Sequence, residues 1–294
     1  MKQMISFFVI AIAVSLMTAC EKQEMPEQEQ DAQGTVTVTF RAPQWGESSV
    51  GLQQTRAALE ADGKAMTDFW LLDYMDGELQ AQIHQTNDQA DFAEPRLTMD
   101  YGRHTLYFVA SRGTSPETST DSHTITWEKT SDTFWTQIQL DVTASTEADQ
   151  TVTLQRSVAR LMIAVADEVP SGATTLTVTP EHWYYGIDYL TGQPVADQRE
   201  PRSITIPESY IGTSGKLKFS MFTLAGTEAF TTDIEVMATD AASAPLGAAT
   251  ISGARLERNH STNYTGTLFT TPQFTRSISV SLDDEWGEDI DAAW

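Results

Sequence analysis

Sulfur chemistry is nearly closed to this chain: one of its 294 residues is cysteine, Cys20. A lone cysteine cannot form an intramolecular disulfide, so packing alone must hold the fold. Basic residues are also scarce, 18 Lys and Arg against 41 Asp and Glu, for a net charge of −23. That balance repels phosphate backbones and anionic lipid surfaces, which excludes nucleic acid as the expected partner. The histidines, His84, His104, His123, His182 and His260, are scattered, and no H-x-x-x-H or H-E-x-x-H pair occurs. No phosphate loop, G-x-G-x-x-G turn or G-x-S-x-G elbow is present. The expectation is a protein without a cofactor, a metal or catalysis. Helical patterning is missing too, because nowhere do apolar residues recur at i, i+3, i+4, i+7 over three turns.

Long hydrophobic runs are confined to the N-terminal region. Lys2 precedes an apolar run from Ile5 to Leu16, shorter than the ~20 residues that span a bilayer. Leu16-Met17-Thr18-Ala19-Cys20 then places small residues just before the cysteine. This is the layout of an export signal cut at a small-residue site. It predicts a lipoprotein signal peptide at 1–19 and lipid attachment at Cys20; the alternative is a plain secretory signal followed by a stray cysteine. Loss of Lys2 with the signal makes the mature chain one unit more negative. Residues 20–34, rich in Glu and Gln and free of aromatics, read as a solvated, lipidated tether.

Past the tether, strand patterns take over. Thr35-Val36-Thr37-Val38-Thr39-Phe40 alternates with period two, the mark of a half-buried strand. Similar runs fall at 67–75, 78–84, 95–100, 103–111, 122–128, 133–142 and 150–155, with Asp76-Gly77 as a hairpin turn. Beyond 157 they continue at 174–179, 183–190, 202–206, 216–224, 231–238, 247–257, 261–269 and 275–282. Leu161 to Ala166 is apolar at every position, as in a central strand packed on both faces. The fold class is all-β, with β-sandwich domains at 35–157 and at 158–294, the latter closing on an acidic tail.

Three segments resemble the fimbrillin superfamily of Bacteroidota, which includes stalk pilins and anchor or accessory fimbrial subunits. Arg156-Ser157-Val158-Ala159-Arg160-Leu161 is similar to the "R-x-V-A-[KR]-[LVI]" strand that opens the family's second domain. Arg258-Asn259 through Leu268 resembles its late "R-N-x-x-T-x-y-x-G-x-l" hairpin, and Gly102-Arg103-His104-Thr105-Leu106 its first-domain strand. The acidic residues after Cys20 resemble the signal by which Bacteroidota send lipoproteins to the outer face of the outer membrane. The resemblance implies two tandem transthyretin-like β-sandwiches. It also implies a place in the fimbrium on the cell outer membrane, held there by the N-terminal lipid, with other fimbrial subunits as partners and a host or bacterial surface ligand of unspecified kind. Subunits of this family join by β-strand exchange, which here points to Val36, Val38, Phe40, Ile278 and Val280 as interface residues. Stalk pilins lose their first strand to an arginine-specific protease; Arg56-Ala57 is the matching bond and Arg41-Ala42 the alternative. Between Glu285 and Trp294 the large apolar residues are Trp286, Ile290 and Trp294, so no added donor strand is evident. This favours an anchor or accessory subunit over a stalk.

Two other readings arise from side chains. His182-Trp183-Tyr184-Tyr185, with Trp127, Trp135 and Tyr189, is a candidate platform for sugars, which would make this a surface glycan-binding lipoprotein using exposed aromatics. The acids Asp283, Asp284, Glu285, Glu288, Asp289 and Asp291 lack the alternate-residue spacing of a calcium loop and read as a solvated tail.

Overall fold

The structure, a computed structural model, describes residues 34–45, 66–270 and 273–277, with backbone alone for 43–45 and 273–277. The sequence up to Arg156 supplies β1 (Thr35–Trp45), β2 (Asp68–Met75), β3 (Glu78–Thr86), β4 (Arg96–Asp100), β5 (Gly102–Ser111), β6 (Glu117–Ser119), β7 (Thr124–Thr126), β8 (Thr133–Val142) and β9 (Asp149–Arg156). Seven of these form one sheet in the order β3-β2-β5-β8-β9-β1-β4. β8 and β9 share only two register pairs, Phe134 with Arg156 and Trp135 with Gln155. At that seam the sheet folds into two layers, and alternate residues from both meet between them. Val38, Phe40, Met99, Leu106, Phe108, Phe134, Val152 and Leu154 form this first core.

One residue, Ser157, separates β9 from β10 (Val158–Val165). Then follow β11 (Thr175–Pro180), β12 (Tyr184–Asp188), β13 (Gln193–Asp197), β14 (Arg202–Thr205), a 3-10 turn at Glu208–Tyr210, β15 (Lys218–Leu224), β16 (Phe230–Thr239), β17 (Pro245–Leu256), β18 (Ser261–Thr267) and β19 (Gln273–Ser277). Sheets β15-β10-β18-β19 and β14-β11-β16-β17 enclose a second core that includes Leu161, Ile163, Val165, Leu176, Val178, Val236 and Leu256. The chain is all-β, as its patterning requires.

A further sheet, β13-β12-β7-β6, joins early and late sequence. The β6–β7 hairpin pairs with β12 so that Ile125 lies opposite Ile187. The face this sheet presents, with Ile125, Trp127, Ile187 and Tyr189, packs against Trp70, Leu72 and Tyr74 of β2. β2 is therefore buried from Asp68 to Tyr74 on both faces. The two-sided burial expected of residues 161–166 belongs instead to β2. In β10 the inward Leu161, Ile163 and Val165 are fully buried, while Arg160, Met162 and Ala164 are half-buried.

Candidate assembly interface

β1 changes neighbours along its length. Thr35 to Thr39 run antiparallel to β4, Thr35 opposite Asp100 and Thr39 opposite Arg96. From Thr39 onward the strand runs parallel to β9, as far as Trp45 opposite Leu154. Thr35 and Thr37 face solvent, whereas Val38, Phe40 and Ala42 are buried and Val36 packs beside them. The Phe40 and Phe108 rings sit 5.5 Å apart. Val36, Val38 and Phe40 thus share one face of one strand and turn into the first core. Cys20, Arg56, Ala57, Ile278 and Val280 lie outside the described residues, as does the acidic tail from Asp283.

Arg41 binds the strand to both neighbours, with Nη1 donating to Glu94 and Nη2 to Asp149, each at 3.0 Å. Ala42 is buried. The Arg41-Ala42 bond therefore lies in backbone flanked on two sides, a poor place for a protease that must take up extended chain.

The N-terminal end of β1 meets the corner where the chain passes from β4 to β5 through Tyr101 alone. The Tyr101 amide donates to the Gly34 carbonyl at 2.9 Å. Its ring lies so close that a Cβ at Gly34 would come within 2.5 Å of Tyr101 Cε2, so this close approach demands glycine. Beneath the corner, His104 Nε2 lies 2.9 Å from the Asp100 carbonyl oxygen and Nδ1 lies 2.7 Å from Asp73 Oδ1. A carbonyl only accepts, so Nε2 carries a proton, and a second proton joins Nδ1 to Asp73 whichever atom holds it. The pair is neutral overall and almost wholly buried, at 1 % and 3 % side-chain exposure. Burial pushes the Asp73 carboxyl above the ordinary carboxylate range, against the pull of His104. His104 is thus a buried strand histidine with both ring nitrogens paired. Asp73 was not visible as its partner, because strand pairing, not sequence spacing, brings the two together.

At the other end of the chain, β19 is the outer strand of its sheet and pairs with β18. Asp167 braces the turn that leads to it: Oδ1 accepts from the Leu268 amide at 3.0 Å, and Oδ2 from the Phe269 and Thr270 amides at 2.7 and 2.9 Å. The Thr270 hydroxyl adds a fourth bond at 3.1 Å.

The aromatic platform is not formed. Trp127, Trp183, Tyr185 and Tyr189 are buried. Tyr184 packs edge-on against Phe230, and Trp135 donates through Nε1 to the Tyr189 carbonyl at 2.8 Å. Trp127, Trp135 and Tyr189 close the layer between β2 and the third sheet, and Trp183 and Tyr185 lie in the second core, so the platform reading loses its surface. Their chain order suggested exposure because three adjacent aromatics cannot all point inward from one strand; here Trp183 and Tyr185 bury into the second core while Tyr184 turns to the opposite face. Among the described residues no group of three or more His, Cys, Asp or Glu is placed to hold a metal ion.

A family of unknown function (DUF6562) matches residues 115–294. The chain belongs to it. The DUF6562 match opens two residues before β6 and so takes in the hairpin that pairs with β12. No curated protein matches the sequence. Among solved structures, a Bacteroides ovatus protein provisionally designated an adhesin aligns over 95 % of this chain and 100 % of its own, at 10 % identity and a TM-score of 0.50. A Bacteroides thetaiotaomicron structure, provisionally designated polysaccharide-binding, aligns over 86 % and 93 % at 11 % identity and 0.48. The tip fimbrial protein Mfa3 of Porphyromonas gingivalis aligns over 82 % and 96 % at 11 % identity and 0.40. The first of these shows a likeness of fold, all-β as the strand patterning predicts.

Proposed function

We propose that this DUF6562 protein is a lipidated, surface-displayed fimbrial subunit of the anchor or accessory kind, which acts in assembly and adhesion by β-strand exchange and without catalysis. Cys20 carries the lipid that holds it to the outer membrane. Two sandwich domains meet near Ser157, and the β6–β7 hairpin reaches from the first to the second. Its partners are other fimbrial subunits and a ligand on a host or bacterial surface.

The observation that carries the strand-exchange part of this reading is the seating of β1. A strand inserted between β4 and β9, with Val38 and Phe40 in a core, is a removable element. Its departure would leave two open edges and an apolar slot, the acceptor that strand addition requires. Arg56-Ala57 follows β1 and precedes β2, so cleavage there would separate the strand covalently, whereas Arg41-Ala42 is sheltered.

The test is the N-terminus of the native protein recovered from cells, read by intact mass and terminal sequencing. An acylated Cys20 at the N-terminus is expected of an anchor or accessory subunit. A chain starting at Ala57 would move it to the polymerising stalk class, and an unacylated start elsewhere would sink the lipoprotein reading.

A further inference from the structure

We propose that Asp73, His104 and Tyr101 form a clasp that holds the N-terminal end of β1 and sets how readily that strand leaves the sandwich. The clasp itself stands on geometry; its consequence for assembly rests on the strand-exchange reading above.

Every link is a named contact. Asp73 on β2 fixes the His104 ring on β5. His104 in turn holds the Asp100 carbonyl, whose residue is the register partner of Thr35, the first residue of β1. Next in the chain, Tyr101 donates its amide to Gly34 and lays its ring on that glycine. The three residues lie on β2, on β5 and at the β4–β5 corner, so they tie the first residues of β1 to the layer opposite its own.

The rest of the strand has a different kind of hold. Toward its C-terminal end β1 is fastened by Arg41 to Glu94 and Asp149, and these ion pairs are solvent-exposed on both sides. Exposed pairs of this sort contribute little and weaken with salt. A buried, fully satisfied pair cannot be exchanged for water without leaving an unpaired group behind. Opening from the N-terminal end must therefore break the Tyr101–Gly34 contact, at a corner that the buried pair holds in place, and opening from the other end need not. Asp73, His104 and Tyr101 are positioning residues for β1: none of them belongs to the strand that moves.

Hydrogen exchange of the intact chain, read by mass spectrometry on peptides covering 35–42 and 158–165, tests this. In His104→Gln and in Tyr101→Ala, exchange over 35–42 is expected to quicken at least tenfold, with 158–165 unchanged. Asp73→Asn keeps a donor to His104 Nδ1 and is expected to keep β1 protected, whereas Asp73→Ala is not. Equal acceleration of both peptides, or no change over 35–42, overturns the clasp. Tyr101→Ala leaves the buried pair untouched, so it decides the matter where His104→Gln fails to fold. A Tyr101→Ala chain that opens β1 locally yet takes up no strand from a second copy upholds the clasp and overturns the strand-exchange reading.

Discussion

Arg156 and Asn259 meet across 103 residues of sequence, Nη1 of the arginine donating to Oδ1 of the asparagine at 3.1 Å. The contact is part of a larger knot. Arg156 also grips Asp132 with two bonds, Nε to Oδ1 at 2.7 Å and Nη2 to Oδ2 at 3.1 Å. Arg258 returns the link by donating from Nε to the Arg156 carbonyl at 2.7 Å, and the Asn259 amide donates to the Val158 carbonyl at 2.8 Å. Two of the segments that resemble fimbrillins, one opening at Arg156 and the other at Arg258, are therefore the two halves of one partly buried junction between β9, β10 and the β17–β18 turn.

Removing Asp132 should harm the protein more than removing Asn259. Asp132 accepts from Arg156 and from Arg112, the latter at 3.1 Å, and is itself buried. Asp132→Leu strands two guanidinium groups and should cost about 3–5 kcal/mol. Asn259 adopts φ +60°, so Asn259→Gly preserves the turn and loses only the side-chain acceptor, about 1–3 kcal/mol. Urea unfolding midpoints at neutral pH give the ranking, and equal losses would mean that the knot is not centred on Asp132.

Phe40 is the residue on which the burial of β1 depends most. It is 1 % exposed and packs on Phe108. Phe40→Ala should cost about 3–5 kcal/mol through lost transfer energy and a residual cavity. Thr37→Ala, three residues earlier on the opposite face and toward solvent, should stay within about 0.5 kcal/mol. Calorimetry on both variants checks the contrast; a small effect at Phe40 would mean that β1 is already loosely held.

How far the sequence disclosed this architecture depended on whether neighbouring residues or distant ones carried the information. β5 and β8 were visible because Leu106, Phe108 and Ala110, and Ile138, Leu140 and Val142, recur with period two, which is a local property. β6 and β13 were not, because Glu117-Thr118-Ser119 and Gln193 to Asp197 are short and polar and become strands only by pairing with β7 and β12. Nor did any local pattern announce that β7 would pair with β12, 60 residues later. At the site, Val36, Val38 and Phe40 were readable as one face, whereas Asp73 and His104 were 31 residues apart and joined only by strand register.

Gly186 marks that unannounced pairing and supplies its test. A Cβ there would stand 2.7 Å from Thr126 Cγ2, 3.0 Å from Val195 Cγ2 and 3.1 Å from the Ile125 carbonyl. Gly186→Ala should push β7 and β13 away from β12 and cost about 1–3 kcal/mol. The loss should appear as faster hydrogen exchange over 115–127, with β17 unaffected. A silent Gly186→Ala would mean that the hairpin does not pack on β12 in solution.

Asp167 should make stability depend on pH in the acid range. Burial pushes its carboxyl up, but the amides of Leu268, Phe269 and Thr270 and the Thr270 hydroxyl outweigh that and hold it below the usual carboxylate range. A group whose folded value lies below its unfolded value, about 3.9 for Asp, stabilises the fold above that pH. The contribution drains away as pH falls through the lower, folded value. Asp167→Asn retains one acceptor oxygen in place of the charged pair and should cost about 1–3 kcal/mol at pH 7. Its unfolding free energy should then converge on that of the parent chain as both are titrated from pH 5 toward pH 2. Convergence assigns the loss to the ionised carboxylate, which holds the turn into β19. A gap that stays constant over this range would mean that shape alone, and not charge, secures the turn.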